Sequence, residues 1–172
     1  MDGSKTRARK FDLHTHYYPE IYFDRIRELP SEFSFDQSPS GQTIITYRGA
    51  RFFGVTPPMT DVNKRLEDMD RVGIDVQVVS LSTPNVFFTD AIHQPEIARM
   101  VNDSYAELIA KHPTRFKGFA SIPMDAPAAA FAAENFVQDR LNVRLAHVLS
   151  LLTCGAILKA PRFFHGSARF DN

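Results

Sequence analysis

The sequence predicts an α/β fold built on a parallel sheet. Strand-like runs and helical stripes alternate repeatedly along the chain, and that order favours parallel strands joined by right-handed crossovers. A β-branched run, Val76-Gln77-Val78-Val79-Ser80-Leu81, suits a strand covered on both faces. No repeat is visible at the level of sequence.

The first strand is read at Phe11 to His16. There Phe11, Leu13 and Thr15 alternate with Asp12, His14 and His16 in the period of two of an extended chain. Residues two apart point to the same side of a strand, so His14 and His16 can converge on one divalent metal at ~2.0–2.1 Å per nitrogen. Asp12 is expected on the same face one pleat deeper, suited to orienting an imidazole or to ligation. Two imidazoles fill only part of the site, because catalytic zinc usually takes about three protein ligands and a water.

Residues 17–58 read as an irregular stretch holding one hairpin, Gln42 to Tyr47 and Arg51 to Val55, about Arg48-Gly49-Ala50. Val62, Leu66, Met69 and Val72 then fall at helical spacing, with Thr60 or Asp61 as N-cap and Gly73 as the stop. The strand at Val76 to Leu81 follows. Pro95 opens the next helix, whose stripe is Ile97, Val101, Tyr105 and Leu108, ending at Lys111-His112-Pro113. Phe116 to Ile122 reads as a further strand stopped by Pro123, and Asp125 as the cap of a helix from Ala126 to about Arg140.

Size and charge exclude several classes. A chain of 172 residues can bury one substantial core. Lys+Arg and Asp+Glu both number 20, so no net field favours nucleic acid or an anionic membrane. The single cysteine, Cys154, permits no internal disulfide and fits a reducing compartment. Residues 1–9 are expected to be a disordered basic start, without the apolar segment of a secretory signal. The longest apolar stretch, Ala146 to Leu158, is shorter than the ~20 residues that cross a bilayer. A soluble, cytoplasmic protein is the expectation.

Several stretches together resemble a known family: Asp12-Leu13-His14-Thr15-His16-Tyr17-Tyr18-Pro19-Glu20; Arg65-Leu66-Glu67-Asp68-Met69-Asp70-Arg71-Val72-Gly73-Ile74-Asp75-Val76-Gln77-Val78; Asn102-Asp103; and Pro113-Thr114-Arg115-Phe116 with Gly118-Phe119-Ala120-Ser121-Ile122-Pro123-Met124. In this order they are similar to the amidohydrolase-related branch typified by aminocarboxymuconate-semialdehyde decarboxylase and the resorcylate-type decarboxylases. The resemblance spans residues 10–134. It implies the N-terminal portion of a metal-dependent (β/α)8 barrel, with the site at the C-terminal ends of the strands. It also implies that His14 and His16 bind a divalent metal, zinc by expectation, which a further histidine and an aspartate from later strands complete. The implied reaction is non-oxidative decarboxylation, or hydrolysis, of a small aromatic or unsaturated carboxylic acid.

Past Glu134 the pattern breaks, and residues 135–172 read as a divergent tail. A complete barrel takes ~250 residues and at least ~200. The expectation is a truncated chain of about three or four strand–helix units, from a frameshift, a mis-spliced gene or a fragment, with impaired activity. The competing expectation is an inactive half-barrel that serves as an interaction module, with a homodimer as one outcome, or that has no function.

The other candidates carry less. His93 lies in a loop at the metal end of the second strand and reads as a surface residue, while His112 reads as the end of a helix. His147 and His165 fall in the tail. Arg48 and Arg51 could grip a carboxylate but read more simply as hairpin charges. Ser82, Thr83, Pro84 and Asn85 could line a pocket by position, and Phe52-Phe53 and Phe87-Phe88 read as core or pocket wall. No general acid or base is assigned.

Overall fold

A computed structural model describes residues 7–126. In chain order it contains β1 (Phe11–His16), α1 (Glu20–Glu28), β2 (Phe33–Gln37), β3 (Thr43–Tyr47) and β4 (Ala50–Gly54). A single 3-10 turn (Pro57–Met59) leads into α2 (Val62–Val72), β5 (Val76–Ser80), α3 (Gln94–Lys111) and β6 (Phe116–Gly118). The fold is α/β. β1, β5 and β6 form the expected parallel sheet in the order β1-β5-β6, and β2, β3 and β4 form a separate antiparallel sheet. The helix expected from Ala126, and the tail with Cys154, His147 and His165, lie outside the described residues. Among the described residues no helix is long and apolar enough to cross a membrane.

The stretch 17–58 is more ordered than its sequence suggests. Tyr22, Phe23 and Ile26 lie on one side of a helix and are buried, which forms α1 despite the weak helical preference of aromatic residues. Tyr18 stacks against Tyr22, Phe23 and Phe53 at 5.4–5.8 Å between ring centroids, so one aromatic cluster joins α1 to β4. The expected hairpin is present as β3 and β4, and Phe33–Gln37 adds a third strand to it.

In α2, Asp61 is the cap, accepting from the amides of Asn63 and Lys64, and Gly73 ends the helix at φ 71°. Its buried face differs from the expected stripe. Arg65 and Met69 are buried, whereas Val72 is 55% exposed. The stripe of α3 is as expected: Ile97, Val101, Tyr105 and Leu108 are all buried. Helix α3 approaches β6 so closely that a Cβ on Gly118 would lie 3.2 Å from Ile109 Cδ1.

β6 ends at Gly118 rather than at Ile122, and β5 ends at Ser80 rather than Leu81. The reason for the shorter β6 lies in Asn102, which is buried on α3. Its amide donates to the Ser121 carbonyl at 3.0 Å and its carbonyl accepts from the Ser121 amide at 2.8 Å. A side chain thus takes the backbone groups that a longer strand would have paired. Asn102→Ala is expected to cost roughly 2–4 kcal/mol, because it strands both groups in the interior. Urea unfolding should show a lower midpoint at unchanged slope; an unchanged midpoint would mean that water reaches Ser121.

Candidate metal centre

His14 and His16 come together at the C-terminal end of β1. Their ring centroids are 4.9 Å apart and the rings are nearly perpendicular, at 79°. His14 is exposed and His16 partly buried. The two rings share a side, as the spacing predicted.

Asp12 does not share it. The β1–β5 register pairs Asp12 with Gln77 but Thr15 with Val79, so β1 carries one extra residue between these pairs. Gln77 and Val79, two apart, face one way, and therefore so do Asp12 and Thr15; His16 pairs with Ser80 and faces the other way. The Asp12 carboxylate accepts from the His14 backbone amide at 3.2 Å and from the Gln77 side-chain amide at 3.1 Å. It braces the bulge and contacts neither imidazole. A bulge cannot be read from alternation in one strand, because it is defined by the partner strand.

Ser80, at the end of β5, orients His16. The Ser80 hydroxyl donates to the Thr15 carbonyl at 3.3 Å and lies 3.1 Å from His16 Nδ1. With its hydrogen committed, Ser80 Oγ accepts from Nδ1–H, which leaves the Nε2 lone pair for a ligand. Burial holds the His16 pKa below the usual imidazole value, the neighbouring His14 lowers it further, and hydrogen bonding to the Ser80 backbone opposes both. His16 is therefore neutral at neutral pH, the form a metal requires.

Behind the histidines lies Arg65, only 4% exposed. It donates through Nε to the Pro58 carbonyl at 2.8 Å and through Nη1 to Thr15 Oγ1 at 2.7 Å and Gln77 Oε1 at 2.9 Å. Through Nη2 it donates to the His16 carbonyl. Its guanidinium also lies 5.6 Å from the centre of the Tyr17 ring. A cleft of about 310 Å³ opens here, lined in part by His14, His16, Met59, Arg65 and Gln77. Sequence reasoning missed Arg65, Gln77 and Ser80 as parts of this site. Arg65 shares a helix face with Met69, and that placement was the one available signal.

The other candidates lie elsewhere. His93 precedes α3 and pairs with Asp90 at 2.5 Å, and His112 caps the end of α3. Arg48 holds Glu32 at the hairpin, Arg51 is exposed, and neither lines the cleft. Asn85 is buried in the turn after β5, donating to the Leu81 carbonyl. Thr83 and Pro84 line a different cavity, of about 330 Å³, with Phe33, Phe52, Phe87 and Phe88. The Phe pairs are thus core and pocket wall, as expected.

A pair of imidazoles suits a divalent ion of intermediate softness. Such a pair would supply two protein ligands, and among the described residues no group of three or more His, Cys, Asp or Glu is placed to hold a metal. The donors fit part of a coordination sphere.

No protein-family model matches the chain. Gamma-resorcylate decarboxylase of Polaromonas sp. strain JS666 is 44% identical over 69 residues, 40% of this chain and 21% of that protein. The 2-amino-3-carboxymuconate-6-semialdehyde decarboxylase of Dictyostelium discoideum is 30% identical over 127 residues, 69% of this chain and 34% of that protein. Among solved structures, the dihydroxybenzoic acid decarboxylase of Polaromonas sp. JS666, with bound manganese and the inhibitor 2-nitroresorcinol, superposes with a TM-score of 0.58. It is 27% identical, over 81% of this chain and 38% of that one. The chain spans about a fifth to a third of the length of these curated relatives.

Sequence and fold together relate the chain to the amidohydrolase-related decarboxylases. Within that class it is similar to gamma-resorcylate decarboxylase and to 2-amino-3-carboxymuconate-6-semialdehyde decarboxylase, with a partial coverage that fits an N-terminal part.

Proposed function

We propose that this chain carries the first-strand half of the metal centre of a carboxy-lyase acting on a small aromatic or unsaturated carboxylic acid. The paired rings of His14 and His16, 4.9 Å apart at the end of β1, carry the proposal. Similarity to decarboxylases of resorcylate and carboxymuconate semialdehyde supports decarboxylation over hydrolysis and a dihydroxybenzoate-like substrate. In this reading the parallel strands are the N-terminal portion of a (β/α)8 barrel, and the remaining ligands come from outside the described residues. The ion is zinc or manganese, the second being present in the Polaromonas structure. A cytoplasmic setting belongs to the same proposal and rests on the single cysteine.

A divalent metal bound here would supply Lewis-acid polarisation of a substrate oxygen. The residues of this chain would hold and orient it: His14 and His16 through ring nitrogens, Ser80 by fixing the His16 tautomer. Arg65 does not grip the substrate carboxylate, because four of its N–H groups already bond protein acceptors. The full chain, loaded with manganese or zinc and given 2,6-dihydroxybenzoate, is expected to release carbon dioxide, and His14→Ala to stop it. Tight metal binding without carbon dioxide release would favour a second reading.

That reading is a non-catalytic interaction module. The observation in its favour is β1, which pairs with β5 alone among the described strands and exposes Phe11 (53%) and Leu13 (63%). A homodimer through this edge would appear as concentration-dependent mass by light scattering.

A further inference from the structure

We infer that Arg65 is a positioning residue for the metal ligands, its buried guanidinium completing a polar brace that spans the β1 bulge and fixes the end of the strand where His14 and His16 stand. The inference rests on the reading of those histidines as ligands.

The bulge creates the need. It takes the His14 amide out of the β1–β5 ladder and gives it to Asp12, so the pairing loosens just before the residues whose spacing must be held. On the face away from His16, a continuous chain of hydrogen bonds crosses the gap. Asp12 Oδ2 accepts from Gln77, Gln77 Oε1 accepts from Arg65, and Arg65 donates onward to Thr15 Oγ1 and the His16 carbonyl. The brace therefore ties the strand on both sides of the extra residue. Its fourth bond, to the Pro58 carbonyl, anchors it to the turn before α2.

A guanidinium in this place is costly. Among the described residues Arg65 forms no ion pair, and burial lowers its pKa, with the Tyr105 and Tyr17 hydroxyls and the carboxylates of Asp12 and Asp68 opposing that shift. Fastening the helix to the sheet would need only an apolar side chain at this position. A planar fork with several fixed donors is needed when several backbone and side-chain oxygens must be held in one arrangement. Through the Thr15 hydroxyl and the His16 carbonyl the fork also supports the Ser80–Thr15 bond that sets the His16 tautomer.

The experiment uses the full chain and cobalt(II) as the probe. Arg65→Lys keeps the charge but loses the fork, and Gln77→Ala removes one link while leaving Arg65 in place. Each variant is first shown to be folded by circular dichroism. In the metal-free protein, long-range proton–nitrogen spectra above the imidazole titration range are expected to show His16 as one Nδ1–H tautomer. In Arg65→Lys the same ring is expected to give a mixture, and cobalt affinity to fall by about tenfold or more. Gln77→Ala should show a smaller loss in the same direction. If both variants fold and keep the single tautomer and the wild-type affinity, Arg65 is only a packing residue and the inference is overturned. Failure of the wild-type chain to take up cobalt would instead overturn the ligand reading, and the tautomer comparison would still decide the role of Arg65.

Discussion

Alanine in place of His16 is expected to abolish stoichiometric metal binding. His16 is the better prepared of the two rings: half-buried, held by Ser80 through Nδ1 and kept neutral by its surroundings. His14 is exposed, and alone it would resemble a histidine on any protein surface. Removing His16 should therefore weaken binding of zinc or manganese by on the order of 100-fold, the upper end of what loss of even an orienting partner costs. The fold should survive, since His16 is not part of the buried core. Metal content after gel filtration, with circular dichroism as the check on folding, measures both. Metal retained by His16→Ala at wild-type stoichiometry would place the site elsewhere.

The largest expected effect on stability belongs to Tyr105. It is fully buried on α3, and its hydroxyl donates to the carbonyl of Tyr17, the residue directly after His16, at 2.5 Å. Tyr105→Ala removes a large ring and leaves that carbonyl without this donor. A cost of about 4 kcal/mol follows from aromatic truncation in a core, which is a large fraction of the ~5–15 kcal/mol that holds a domain together. Tyr105→Phe keeps the ring and should cost about 1–2 kcal/mol. Chemical unfolding of the two variants separates packing from the hydrogen bond; equal losses would mean that the bond carries all of the effect.

Tyr105 also sets an alkaline limit. Burial holds its phenol well above the usual value, whereas the unfolded chain would ionise it near ~10. Its contribution is therefore complete below ~10 and is lost as the pH climbs toward the folded-state value. Stability should decline above ~10 in the wild type and decline less steeply in Tyr105→Phe. An equally steep decline in both would assign the effect to other groups.

Much of this arrangement is legible in the sequence because it depends on local pattern. The alternation at Phe11 to His16, the β-branched run at Val76 and the stripe from Ile97 to Leu108 each state their element, and the elements are there. Asp61 and Gly73 mark the ends of α2 for reasons confined to a few backbone groups. What was not legible depends on partners distant in sequence. α1 forms because Tyr22, Phe23 and Ile26 meet a shared aromatic cluster, and β2 because β3 offers an edge. β6 stops early because Asn102 claims Ser121. The site divides in the same way. Two histidines two apart on a strand suggest a metal by themselves, but the bulge that moves Asp12 away and the inward turn of Arg65 exist only once β1, β5 and α2 are assembled.

His14 and His16 are expected to bind one ion together. X-ray absorption fine structure of the zinc-loaded full chain tests it most directly, because imidazole rings leave a distinct multiple-scattering signature. Two imidazoles at ~2.0–2.1 Å are expected, with one lost in His14→Ala. A spectrum of oxygen ligands alone, or one unchanged by that substitution, would contradict it.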